Sequence, residues 1–116
     1  MKRVIIESPY AGDIERNVRY ARAAMRHSLL QGEAPFASHL LYTQEGVLRD
    51  ETPEERQHGI EAGFAWRSTA ELTAVYTDLG ITAGMTLGME HARAEGHPIE
   101  LRSIPGWDNG QDPRCR

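Results

Sequence analysis

Residues 72–85, Leu72-Thr73-Ala74-Val75-Tyr76-Thr77-Asp78-Leu79-Gly80-Ile81-Thr82-Ala83-Gly84-Met85, read as a strand, a glycine-bearing loop and the start of a helix. Leu72 to Thr77 alternates and carries Val75 and Tyr76, which favour extended backbone. Asp78 to Ile81 is the exit loop. Thr82 has the right chemistry to cap a helix that runs through about Glu95. Gly96 stops that helix, Pro98 keeps it from resuming, and Pro98 to Arg102 forms a last strand.

The same order repeats upstream. Arg3 to Glu7 reads as a first strand, followed by the turn-forming Ser8-Pro9-Tyr10-Ala11-Gly12. Asp13 caps a helix whose apolar positions, Ile14, Val18, Ala21, Met25 and Leu29, form one stripe, and Gly32 ends it. Pro35 to Tyr42 is apolar and reads as a second, short strand, with a polar loop from Thr43 to Thr52. Thr52-Pro53-Glu54-Glu55 is a strong helix start: a Thr cap, Pro at the first position and Glu three after the cap. That helix runs to about Ser68 despite Gly59 and Gly63. Two glycines four apart either admit another backbone closely, as at a subunit interface, or are simply tolerated.

The order β-α-β-α-β-α-β predicts an α/β fold: a doubly wound, mostly parallel sheet of four or five strands with helices on both faces. Residues 3–104 are expected to form one domain and residues 105–116 a loose polar tail, of which Trp107 is the residue expected to dock.

Composition narrows the function. A length of 116 residues, 40% hydrophobic and 26% charged, suits one globular domain with its own core. A net charge of −4 without a basic block argues against a nucleic-acid polymer as partner. No apolar run nears the roughly 20 residues of a membrane helix, and the run at Val4-Ile5-Ile6 is too short for a signal peptide. Cys115 is the only cysteine, so no internal disulfide or cysteine-based metal site is expected, and a reducing, cytoplasmic setting fits. His27, His39, His58, His91 and His97 are scattered without metal-ligand spacing, so neither a metal nor another cofactor is expected. Walker, dinucleotide and nucleophile-elbow patterns are absent.

In doubly wound sheets ligands sit beyond the carboxyl ends of the strands. Loops 8–13 and 78–84 should therefore meet. Gly80, Thr82, Gly84 and Met85 form a loop and helix start suited to a phosphate or carboxylate, or else an ordinary capped turn. Ser8, Tyr10, Asp13 and Asn17 lie at the same edge. Tyr10 offers stacking or a hydroxyl, and Asp13 reads mainly as a cap. His39 and Tyr42 are polar tips in an apolar segment. Asp78 is a candidate hydrogen-bond acceptor or general base, or else a turn carboxylate bonding its own backbone. Glu90 is either a carboxylate aimed at the crevice or a solvated helix residue.

Val4 to Tyr10, the helix from Asp13 to before Gly32, and Asp78 to Met85 with Gly88, Ala92, Gly96 and Pro98 resemble the nucleoside 2-deoxyribosyltransferase-like superfamily. The likeness covers roughly residues 3 to 102 and is closer to its small uncharacterised and phage-associated branches. It implies a flavodoxin-like fold, a homo-oligomer and a ligand built from base, sugar and phosphate. Active members cleave or transfer the N-glycosidic bond through a glutamate that attacks the anomeric carbon. That glutamate falls at Gly88 here, and Glu90 is about 200° further round the helix. The expectation is thus a nucleotide- or nucleoside-binding protein. The alternatives are an active N-glycosidase or deoxyribosyltransferase using Asp78 or Glu90, and a non-catalytic interaction domain.

Overall fold

A computed structural model of the chain describes residues 1–49 and 51–107. The four strands are β1 (Arg3–Glu7), β2 (Ala34–Phe36), β3 (Leu72–Tyr76) and β4 (Ile99–Arg102). The helices are α1 (Ile14–Leu30), α2 (Ser38–Leu41), α3 (Pro53–Arg67) and α4 (Ala83–Ala94). The sheet has the order β2-β1-β3-β4, and every pair is parallel. Chain order reverses direction between β1 and β3, whose register pairs Val4 with Leu72 and Glu7 with Val75. This is a doubly wound, flavodoxin-like sheet with its switch point between the two central strands.

Strand alternation sorts the core into two layers. Val4, Ile6, Ala74 and Tyr76 pack with Tyr20, Ala23 and Ala24 of α1. Val75 packs on the other side with Met85 and Met89 of α4. All five residues of β3 are buried, as expected for a central parallel strand covered on both faces.

The expected caps form. Asp13 Oδ1 accepts from Arg16 N at 3.2 Å, Thr52 Oγ1 from Glu55 N at 3.2 Å, and Thr82 Oγ1 from Met85 N at 3.2 Å. Gly80 has φ +89°, a left-handed turn that lets the chain leave β3 and enter α4.

Two expectations are corrected. The second strand ends at Phe36, and Ser38–Leu41 is a single helical turn rather than extended chain. A short apolar run has no periodicity that separates strand from helix, and packing against α3 decides it. The buried stripe of α1 is also displaced. Ile14 and Leu29 are exposed, while Asn17, Tyr20, Ala21, Ala24 and Ser28 are buried. Small residues let this face approach the sheet closely, and its polar members are satisfied. Asn17 Nδ2 donates to the carbonyls of Tyr10 and Ala11, and Ser28 Oγ donates to Glu33.

Gly63 does admit a close neighbour, but one from its own chain. A Cβ there would lie 2.7 Å from Ser38 Oγ, so the glycine seats α2 on α3. At Gly59 a Cβ would meet Leu48 at an ordinary 3.5 Å. Both glycines line the cavity described below. Trp107 docks edge-on to Tyr20 at 4.9 Å between ring centroids. The rest of the expected tail, with Cys115, lies outside the described residues. Among those residues no helix is long and apolar enough to cross a membrane, and no three His, Cys, Asp or Glu side chains gather to hold a metal.

Candidate functional site

A cavity of about 480 Å³ opens at the carboxyl end of β1, between α2, α3 and the start of α4. Both loops predicted to converge contribute to it: Ser8, Tyr10 and Ala11 from the first, Thr82, Gly84 and Met85 from the second. Parallel pairing of adjacent strands forces this, because the loops leave the sheet at one edge. The α2 turn adds His39 and the following Tyr42, while Ile60 and Phe64 of α3 supply an apolar wall.

The floor holds a carboxylate. Glu7 ends β1, and alternation turns it to the α3/α4 side of the sheet. Its Oε2 accepts from Arg67 Nη2 at 2.6 Å, and its side chain keeps 17% of its surface exposed. Burial pushes the Glu7 carboxyl up to about 7, with the Arg67 guanidinium pulling the other way. Arg67 is itself almost fully buried. Its Nη1 donates to the Gly88 carbonyl at 2.6 Å and lies 2.9 Å from His91 Nδ1. His91 stacks on Phe64 with centroids 3.9 Å apart. These bonds fix one guanidinium between β1, α3 and α4.

Gly88 faces this carboxylate so closely that a Cβ built on it would collide with Glu7. The position that the resemblance marked for a glutamate is thus filled in space by the side chain of residue 7.

Beside it, Ser8 Oγ lies 2.6 Å from His39 Nε2. Desolvation pushes His39 down to about 4, so the ring is neutral near pH 7. Thr43 Oγ1 donates to the His39 carbonyl at 2.7 Å and steadies the turn. The Tyr42 hydroxyl accepts from Trp66 Nε1 at 2.8 Å.

Other expected site residues lie elsewhere. Asp78 does not line the cavity. Its Oδ2 accepts from the Tyr20 hydroxyl at 2.7 Å and from Ile104 N at 2.8 Å, on the α1 side of the sheet. From an exposed position it joins the end of β3 to α1 and to the segment after β4. Glu90 is exposed on α4, away from the face that Gly88 presents. Asp13 is an exposed cap, and Gly80 supplies the turn without lining the cavity. Asn17 acts one step removed: it holds the Tyr10 and Ala11 carbonyls, and those two residues form the wall.

Sequence reading missed Glu7 and Arg67. Glu7 carries a signal, since a carboxylate closing an apolar strand at a switch point faces either solvent or a ligand. Arg67 carries none, because nothing local shows that a helix-terminal arginine turns inward.

The fold and cavity together define the class: a flavodoxin-like α/β domain with a ligand-sized crevice at its switch point. Within that class the chain belongs to the family described as a domain of unknown function (DUF7768), whose profile matches residues 2–102. Two solved structures share the fold. One is a 2-deoxyribosyltransferase from the psychrotolerant bacterium Bacillus psychrosaccharolyticus, with TM-score 0.61 and 18% identity over 91% of this chain and 75% of that one. The other is a CMP N-glycosidase, BcmB, from Clostridium botulinum, with TM-score 0.52 and 14% identity over 88% and 71% of the respective chains. No curated protein sequence matches the chain significantly.

Proposed function

We propose that this chain binds a nucleoside or nucleotide in the crevice between β1 and β3 and acts on its N-glycosidic bond. The observation that carries the reading is the position of the Glu7 carboxylate, at the floor of a cavity walled by loops 8–11 and 82–85. A cavity of about 480 Å³ is in the range that takes one small ligand. Ile60, Phe64 and Leu87 offer apolar surface to a base or sugar. Tyr10 offers a ring and a hydroxyl at the rim. The N-terminus of α4 offers its dipole to an anionic group such as a 5′-phosphate. A half-buried carboxylate is the group that glycosidic chemistry uses as nucleophile. The names of the two structural neighbours agree with this chemistry, and they support it as likeness of fold.

A second reading has its own observation. The ion pair between Glu7 and Arg67 suits a purely structural carboxylate as well. The chain would then bind the ligand and release it intact.

One experiment separates the two. The purified protein is mixed with the four 2′-deoxynucleosides and the four 5′-ribonucleotides, and thermal shift and free base are both followed. A bound ligand at about 100 times its Kd adds roughly 2.7 kcal/mol of stability. A shift with free base supports the first reading, and a shift with intact ligand supports the second. No shift with any of the eight defeats both. The same preparation, weighed by light scattering, reads out the homo-oligomer that the resemblance implies.

A further inference from the structure

We propose that Glu7 is the reacting carboxylate of this site, and that Gly88 is glycine because the Glu7 side chain occupies the space a residue there would need. The inference rests on the glycosidic reading above and deepens it by naming the group that carries the chemistry.

Three observations support it. First, Glu7 is the cavity-lining carboxylate with one oxygen held and one available. Arg67 bonds Oε2, and Oε1 has no hydrogen-bond partner among the described residues. Second, a Cβ on Gly88 would overlap the carboxylate, so any side chain there displaces Glu7. The two positions share one pocket of space, approached from β1 on one side and from α4 on the other. Third, Arg67 ties both positions to one guanidinium, through Glu7 Oε2 and the Gly88 carbonyl. It fixes the direction of the Glu7 carboxylate, and in that role it is a positioning residue.

The chemistry balances with water as the only co-reactant. A Glu7 oxygen forms a bond to the anomeric carbon as the bond from that carbon to the base nitrogen breaks. The bonding pair leaves with the base, which takes a proton from solvent. Water then attacks the same carbon, the ester bond to Glu7 breaks, and its electron pair returns to the carboxylate. The proton lost by that water goes to solvent. The sum is one nucleoside plus one water giving free base and free sugar.

Burial of Glu7 raises its proton affinity, so the nucleophilic form builds up as pH passes through about 7.

The test uses the full chain with the same eight nucleosides and nucleotides, following free base and thermal shift in parallel. Glu7→Gln is expected to keep the ligand-induced shift and to lose base release by at least about 100-fold. Gly88→Ala, which pushes the carboxylate aside, is expected to lower base release while Glu7 remains in the chain. The double variant Glu7→Gly with Gly88→Glu carries a carboxylate into the same space from the other side. It is expected to recover release relative to Glu7→Gly alone, a result that a merely structural Glu7 does not produce. Release by Glu7→Gln at the wild-type rate, with the shift retained, overturns the assignment but leaves the glycosidic reading standing. A wild type that binds and releases nothing overturns the assignment and supports the binding reading. A wild type that binds none of the eight overturns the underlying reading and this inference with it. Should Glu7→Gln fail to fold, the comparison of Glu7→Gly, the swapped double variant and Gly88→Ala decides alone.

Discussion

Glu7 and Arg67 form a pair whose members depend on each other unequally. Arg67 is about 1% exposed, so removing Glu7 strands a buried charge, while removing Arg67 leaves Glu7 buried without its counter-charge. Arg67→Met is expected to destabilise by about 3–5 kcal/mol, read from denaturant midpoints. It should also raise the Glu7 carboxyl further, because burial then acts unopposed. The folded-state value of Glu7, about 7 against an ordinary 4.5, sets a sign for stability. The folded state holds more protons than the unfolded state between those values, so the contribution of Glu7 to stability falls as pH rises from 4.5 to about 7. His39, lowered to about 4, works in the opposite direction over much of that window. The Glu7 contribution is therefore isolated as wild type minus Glu7→Gln, and that difference should decline across the window. A flat difference contradicts the raised value. Asp78 belongs to a different account. Its carboxylate joins Tyr20 and Ile104, so Asp78→Ala is expected to cost about 1–3 kcal/mol through the loss of two charge-assisted hydrogen bonds, measured by thermal unfolding.

At the scale of elements, α2 is the piece that turns a parallel sheet into a site. Its short turn carries Ser38 and His39 over the end of β1, and it can sit there only because position 63 lacks a side chain. Gly63→Ala is expected to destabilise by about 1–3 kcal/mol and to disturb the contact between Ser8 and His39. Ser38→Gly removes both atoms the new Cβ would meet, so the double variant should recover most of that loss. Additive losses in thermal unfolding contradict this packing. The elements were largely legible because their ends carry chemistry: Asp13, Thr52 and Thr82 each cap the helix expected of them. The turn at Ser38 was not legible, because Phe36 to Tyr42 has no period that separates helix from strand. The burial of α1 was misread for a related reason. Periodicity marks apolar positions, but Asn17 and Ser28 are buried through hydrogen bonds, while Ile14 and Leu29 are exposed.

Across the whole molecule, the crevice follows from topology. A sheet ordered β2-β1-β3-β4 must open between β1 and β3, and the loops after those strands must share it. That much was readable from alternating elements alone, and so were the Ser8–Tyr10 and Thr82–Met85 walls. The carboxylate proposed to react was not, because Asp78 and Glu90 are carboxylates near the loop in sequence and outside the cavity lining in space. Glu7 and Arg67 are 60 residues apart and meet only when α3 folds over the sheet. The most direct test of the account is free base released by the wild-type chain from nucleosides and nucleotides between about pH 5 and about pH 9. The account predicts that base appears and that kcat/KM rises as pH passes through about 7, where Glu7 ionises. Ligands recovered intact at every pH, or a rate indifferent to pH through that region, would contradict it.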